Sequence, residues 1–449
     1  MLRKVAALMG VVLLSGSAAW SQSLFFPSRN DFDTGATFAD NFTALGIRLA
    51  TGDFDGDGNL DVVVVNEFGI QPPGVNKGES LAVLLGDGRG LFLPASFLLL
   101  ELNTFAGDVV TGDFNGDTFL DIAAAVEDLD GTTGGGGTGP GTVGGVAVFN
   151  GDGTGSFAAP QLIPGGNMEP GFTGLVAGRI NGDSIDDIVL LNTLDGTFTV
   201  YLGASPGPPV PAAGSPVATC SNPVAADLGN LNALPGMDLA IVCDPPGSGS
   251  EEIQLFNNAG NGAFTPFTNP PVSTTLVDPR AVVIADLNGD GANDLAMANS
   301  FLEAMMPMGS VSFLKGDGIG NFTEDFIGGF AQPVGDNPRS IQAGDVDGDG
   351  DMDLVVANWG LDDISILKAS LTGTGSAASP SYKETFFAAG IRVFDAVFAD
   401  LDGRGNLDLL AVNGNEFDGT LSAYLGGGSD LIQRATRFSF FDPNNPNII

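Results

Sequence analysis

Residues 51–66, TGDFDGDGNLDVVVVN, recur in seven versions along the chain, and any fold proposed for it must accommodate that recurrence. The stretch places Asp53, Asp55, Asp57 and Asp61 at positions 1, 3, 5 and 9 of a glycine-punctuated loop, then continues as an unbroken apolar run. The loops begin at Asp53, Asp113, Arg179, Asp227, Asp286, Asp345 and Asp400, at intervals of 60, 66, 48, 59, 59 and 55 residues. A period of about 58 residues is too long for helical hairpins or leucine-rich coils and suits a four-stranded blade.

Each unit follows one order. A short apolar or alternating segment enters the loop, and the run leaving it (residues 62–65, 122–126, 188–191, 239–242, 295–298, 354–357 and 409–412) shows no polar alternation. Short apolar runs bounded by turn residues are strands covered on both faces. A third segment follows at residues 81–85, 146–149, 198–202, 253–256, 311–314, 364–367 and 421–425. In four units it leads into a glycine turn closed by Phe92, Phe157, Phe264 or Phe322, and that Phe is expected to open an outer strand. No helical period of usable length follows residue 21. Blades too thin to bury their own faces stack around an axis. The expected fold is therefore all-β: a seven-bladed β-propeller of four-stranded antiparallel blades, with the Asp loops joining strands one and two.

Strand-like residues 24–34 and 431–441 lie at the two ends, and the N-terminal piece is expected to complete or extend the last blade, closing the ring through pairing of terminal strands. Polar, Gly-rich or Pro-rich insertions (residues 67–80, 127–145, 203–219, 244–251, 300–309 and 369–381) lie mostly between second and third strands. Because antiparallel strands reverse direction, these long loops open on the face opposite the Asp loops. Met305, Met306 and Met308 in one of them form a candidate contact patch, although Met more commonly fills gaps in packing.

Composition narrows the function. The 16 Lys and Arg against 54 Asp and Glu give a formal charge of −38, a field that repels phosphate backbones and anionic lipid. Nucleic acid and membrane insertion are excluded as expectations, and cations are the natural counter-species. The chain has no His, which removes Ser-His-Asp and Cys-His catalysis and His-ligated metals. Arg3 and Lys4, the apolar run at residues 5–14 and the small residues after it read as a secretory signal peptide over residues 1–21. Residues 22–449 are then one exported propeller, secreted or periplasmic. Cys220 and Cys243 flank the fourth loop and are expected to form a disulfide.

In a loop of the form D-x-[DN]-x-D-G-x-x-D, the side chains at 1, 3 and 5 turn oxygens inward and the Asp at 9 closes the shell. Hard oxygen donors in this number suit Ca²⁺, which takes about six to eight of them in flexible geometry. An EF-hand needs a bidentate Glu at position 12. Here that position holds Val64, Ala124, Met297 or Val356 inside a strand run, so the EF-hand reading fails.

The Asp loop ahead of an apolar strand, followed by the glycine turn and Phe after the third strand, resembles the FG-GAP and VCBS repeats, related to the calcium-bearing blades of the integrin α-chain propeller. The resemblance spans residues 24–441. It implies calcium ligands at Asp53, Asp55, Asp57 and Asp61; Asp113, Asn115, Asp117 and Asp121; Asp286, Asn288, Asp290 and Asp294; and Asp345, Asp347, Asp349 and Asp353. Three copies depart from the pattern. The third opens on Arg179 and keeps Asn181, Asp183 and Asp187; the fourth reads as stretched by two residues between Asp227 and Asp238; the seventh carries Arg404 beside Asp400, Asp402 and Asp408. In the third and seventh the guanidinium is expected to take the cation's place and pair with the remaining carboxylates.

With no catalytic grouping in view, the expected function is a non-catalytic binding or adhesion module for an extracellular protein or glycan. A calcium-dependent polysaccharide lyase or hydrolase is the alternative, since hydrolysis needs two carboxylates about 5–10 Å apart on an accessible surface. A purely structural extracellular scaffold is the third reading.

Overall fold

A computed structural model describes residues 30–33, 48–66, 78–102, 104–128, 143–165, 174–244, 252–268, 278–300, 309–324, 331–372, 379–389, 392–414 and 419–426. Residues 1–21, read above as a signal peptide, the C-terminal residues 431–441, the candidate patch at Met305, Met306 and Met308 and most of the long insertions lie outside these. Among the described residues no helix is long and apolar enough to cross a membrane.

The described strands form seven antiparallel sheets, one per repeat, in sequential strand order. The inner strands, in chain order, are Leu49–Gly52, Thr104–Gly112, Leu175–Gly178, Pro223–Gly229, Pro279–Ala285, Pro338–Gly344 and Val393–Ala399. They define blades one to seven. Blade seven takes its outer strand from the N-terminal side, where Asn30–Asp33 runs antiparallel to Gly419–Tyr424, Phe32 opposite Leu421. One blade thus joins residues from both ends of the chain, and the inner strands of blades one and seven are neighbours.

The second strands form the middle of the packing. Those of blades three to six, Asp187–Asn192, Asp238–Cys243, Asp294–Asn299 and Asp353–Asn358, are buried at every residue, as an unbroken apolar run requires. Successive side chains point to opposite faces. Val62 and Val64 therefore pack with Leu410 and Val412 of blade seven, while Val63 and Val65 pack with Ile122 and Ala124 of blade two. The same division repeats around the ring and gives seven apolar clusters, one between each pair of neighbouring blades. No blade has a core of its own.

Phe264 and Phe322 open outer strands as expected, at Phe264–Pro266 and Phe322–Thr323, whereas Phe92 and Phe157 do not. Phe92 and Phe157 make single bridges to Gly86 and Gly151, and the outer strands proper begin later, at Ser96–Leu102 and Gln161–Pro164. The turns hold themselves: Asp87 Oδ1 accepts N–H bonds from Arg89 at 2.9 Å and Leu91 at 3.1 Å, which is a structural use of that carboxylate.

Cys220 and Cys243 are joined in a disulfide, with Cα atoms 6.2 Å apart, tying the entry of blade four to the end of its second strand. Closing a loop with a sequence separation of 23 removes conformational freedom from the unfolded chain. The double variant Cys220→Ser/Cys243→Ser is expected to lose about 3 kcal/mol in urea unfolding.

Candidate metal centre

All seven Asp loops fall at the turn between inner and second strands, at one end of the ring. The aspartate at position 9 opens the second strand in every blade: Asp61, Asp121, Asp187, Asp238, Asp294, Asp353 and Asp408 are each at most 1 % exposed. Both of its oxygens are bonded to backbone. Oδ2 accepts the N–H of the residue at position 2, seven residues back, at 2.7–3.0 Å in all seven loops. Oδ1 accepts an N–H from the end of the third strand of the same blade (Gly86, Gly151, Gly203, Asn258, Gly316, Ala369 and Gly426) at 2.5–2.9 Å. Glycine dominates there because the backbone approaches closely: a Cβ on Gly151 would lie 2.2 Å from the Leu120 carbonyl oxygen.

Position 2 itself is apolar and buried: Phe54, Phe114, Ile180, Leu231, Leu287, Val346 and Leu401. Each projects into the cluster shared with the next blade. The ninth aspartate is therefore a three-way tie of loop, third strand and interblade plug. That explains its retention in the three loops that depart from the ligand pattern.

Burial of these carboxylates raises their proton affinity, against the pull of the two N–H groups. Asp61 and Asp121 are pushed up to about 6, and Asp294, Asp353 and Asp408 to about 7. Neighbouring carboxylates add to the rise, such as Asp55 and Asp53 beside Asp61.

Position 1 is held by its own loop. Asp53 accepts Gly56 N–H at 2.8 Å and Gly58 N–H at 3.0 Å, and Asp345 accepts Gly348 N–H at 2.7 Å and Gly350 N–H at 2.9 Å. Gly56 and Gly58, at φ of 75° and 86°, make the turn that aims these amides inward.

Carboxylate oxygens converge to within 4.8 Å of one another at Asp53, Asp55 and Asp57, at Asp345, Asp347 and Asp353, and at Asp400, Asp402 and Asp408. In the loops with Asn at position 3, the amide nitrogens of Asn115 and Asn288 donate to Asp121 and Asp294 at 3.3 and 3.1 Å. Asn288 Oδ1 is buried with no hydrogen-bond partner among the described residues. An orphaned oxygen among oxygen-only donors fits a hard cation such as Ca²⁺. In loops one and six the oxygens of the ninth aspartate each accept one N–H and keep a lone pair for a metal, whereas Asp121 Oδ1 and Asp294 Oδ2 each take a second bond, from the Asn115 and Asn288 amides.

The departing loops require corrections. The fourth is not stretched: Leu231 N–H reaches Asp238 across the same seven residues as elsewhere, so position 1 is Asn230, position 3 Asn232 and position 5 Leu234. Asp227 lies in the inner strand instead, and its Oδ2 accepts Ile284 N–H of blade five at 2.8 Å. In the seventh loop Arg404 Nη1 pairs with Asp402 at 3.1 Å, as expected of a guanidinium replacing charge. Arg179 does not do so. Its Nε lies 3.4 Å from Asp186 at position 8, a carboxylate whose other oxygen accepts Asp113 N–H of blade two.

Two lysines escaped the sequence reading. Lys315 Nζ is 3.2 Å from Asp290, and Lys368 pairs with Asp347, so loops five and six carry an ammonium beside a ligand position. Both stand directly before the residue whose N–H binds the ninth aspartate, where the other blades have Leu85, Asn150, Leu202, Asn257 and Leu425. Only alignment of the third strands would have revealed them.

The chain matches the FG-GAP-like repeat family over residues 53–124, 236–297 and 304–356, and the FG-GAP repeat family over residues 337–376. No curated protein matches it. Among solved structures it is similar to a functionally unknown protein from Desulfotomaculum acetoxidans DSM 771, 17 % identical over 64 % of this chain and 77 % of that one, TM-score 0.39. It is also similar to the Dos1 propeller, 8 % identical over 90 % and 98 %, TM-score 0.46. A third is the Pseudomonas aeruginosa periplasmic gluconolactonase PpgL, 16 % identical over 80 % and 99 %, TM-score 0.48. Repeat matches in the first, second, fifth and sixth loops, on a ring of seven four-stranded blades, make this chain an FG-GAP repeat β-propeller.

Proposed function

We propose that the protein is an exported, calcium-binding propeller that acts as a non-catalytic binding module for an extracellular protein or glycan. Calcium is held by the four loops with complete ligand sets, those opening at Asp53, Asp113, Asp286 and Asp345. There it neutralises clustered carboxylates and pins the first-to-second strand turns. Loops five and six, each with a lysine at hand, bind it less tightly than loops one and two, since the ammonium already offsets part of the charge.

The observation that carries this reading is the commitment of the loop aspartates to the scaffold. Each ninth carboxylate fastens loop, strand and neighbouring blade, so the acidic face serves assembly and recognition falls to the opposite face, where the long insertions emerge. Glycan arrays and pull-downs with the calcium-loaded full chain test it. Capture of a partner that is lost when the long loops are replaced by short glycine linkers supports the reading; capture unaffected by those replacements, or no capture from either screen, overturns it.

A further inference from the structure

The inner strands line an open cavity of roughly 150 Å³ around the propeller axis, at the ends opposite the Asp loops. Three arginines line it: Arg48 just ahead of blade one, Arg280 in blade five and Arg339 in blade six. In a chain with 16 Lys and Arg and a net charge of −38, the meeting of three guanidiniums in one cavity runs against both composition and Coulomb repulsion.

Carboxylates offset Arg280 and Arg48, and Arg339 is the least compensated of the three. Arg280 is balanced by Asp278 and by Asp244, the latter at 3.4 Å. Arg48 Nη1 donates to the carbonyls of Arg339 and Phe394 at 3.3 and 3.2 Å, which orients it, and Asp108 lies near enough to attract its charge. Arg339 lies over the Trp359 ring, 5.5 Å from its centroid, and its buried Nε has no hydrogen-bond partner among the described residues. Burial, with the like charges of Arg280 and Arg48 nearby, pulls Arg339 down to about 10.

Two carboxylates share the cavity, and both are anchored as ties between blades. Asp108 accepts Val109 and Leu175 N–H, both at 2.9 Å, and Asp395 accepts Ala396 and Leu49 N–H at 3.0 and 3.2 Å. Each oxygen keeps one free lone pair.

We infer that this axial cavity binds the carboxylate of a small hydroxylated acid of the sugar-acid class. The inference rests on the binding-module reading and gives it a site. The guanidiniums of Arg339 and Arg48 receive the carboxylate, for which a planar fork of donors is suited. The spare lone pairs of Asp108 and Asp395, with the Ser340 hydroxyl, accept and donate to ring hydroxyls. Two wall carboxylates disfavour a dianion, which separates a sugar acid from sulfate or phosphate. A cavity of about this volume holds a six-membered ring.

The test is calorimetric titration of the calcium-loaded full chain with D-glucuronate, D-glucose and sulfate, with Trp359 fluorescence as a second readout. Glucuronate is expected to bind saturably while glucose and sulfate bind at least roughly tenfold more weakly. Arg339→Gln, which removes the charge and keeps a polar side chain, and Arg48→Lys, which keeps the charge but not the fork, are each expected to weaken glucuronate by roughly tenfold or more, with unchanged unfolding midpoints confirming that they fold. Absence of glucuronate binding, equal binding by both variants, or sulfate binding as tight as glucuronate overturns the inference. Partner capture through the long loops that persists in Arg339→Gln would leave the binding-module reading standing while the axial site fell; glucuronate binding without any such capture would do the reverse.

Discussion

Asp121→Ala is expected to destabilise the metal-free propeller by roughly 2–6 kcal/mol, because it orphans two buried backbone N–H groups at about 1–3 kcal/mol each. Those groups are Phe114 N–H at 3.0 Å and Gly151 N–H at 2.9 Å. The loss extends past the loop, since Phe114 is fully buried in the cluster shared by blades two and three. Asp117→Ala, four residues away in the same loop, is the control. Asp117 is exposed, and its Oδ1 accepts only the Phe119 N–H within the loop. Its replacement is expected to cost no more than about 0.5 kcal/mol without metal. In calcium it should cost more, because a ligand is gone. Urea unfolding of both variants with and without chelator separates the two roles; equal destabilisation in chelator would show that the ninth aspartate is no special tie.

A second large effect is a reversal of pH dependence by calcium. In the metal-free chain Asp61 and Asp121 titrate at about 6 and Asp294, Asp353 and Asp408 at about 7, raised by burial. The unfolded value is about 3.9. Between these limits the folded chain holds more protons than the unfolded one, so stability falls as pH rises. The contribution is fully present below about pH 4 and is lost as pH climbs through about 6 to 7. Asp152 works the other way, its pKa lowered by the Thr154 hydroxyl and amide, but its contribution disappears only on acidification below the ordinary carboxylate range. With divalent cations stripped, the unfolding midpoint should drop from pH 4.5 to pH 7.5. With calcium it should rise over the same range, because the metal competes with protons for the same carboxylates. A metal-free midpoint that rises with pH would contradict this account of the buried aspartates.

The architecture was legible because its signal is redundant. Seven loops with an apolar run behind each fix strand two, and the period then fixes the blade, so one degenerate copy costs little. What sequence hid was the division of labour among identical residues. Asp53 and Asp61 look alike as ligands, yet Asp61 is bonded to one backbone amide in its own loop and one at the end of the third strand, a fact visible only once the third strand is placed. Loop four was misregistered because Asp227 looks more like a ligand than Asn230, although Asp238 fixes the register from behind. The arginine cavity was hidden by topology. Arg48, Arg280 and Arg339 precede their loops by five or six residues, but only closure of the ring brings blades one, five and six around one axis.

The central claim is that four loops take calcium while three are built on the same frame without it. A calcium-binding isotherm on the stripped full chain at pH 7.5 tests it most directly. The account predicts four ions per chain, one for each complete loop, with the loops opening at Asp53 and Asp113 filling first. Binding of no calcium, or of seven equivalents with the loops opening at Arg179, Asn230 and Asp400 filled, would contradict it.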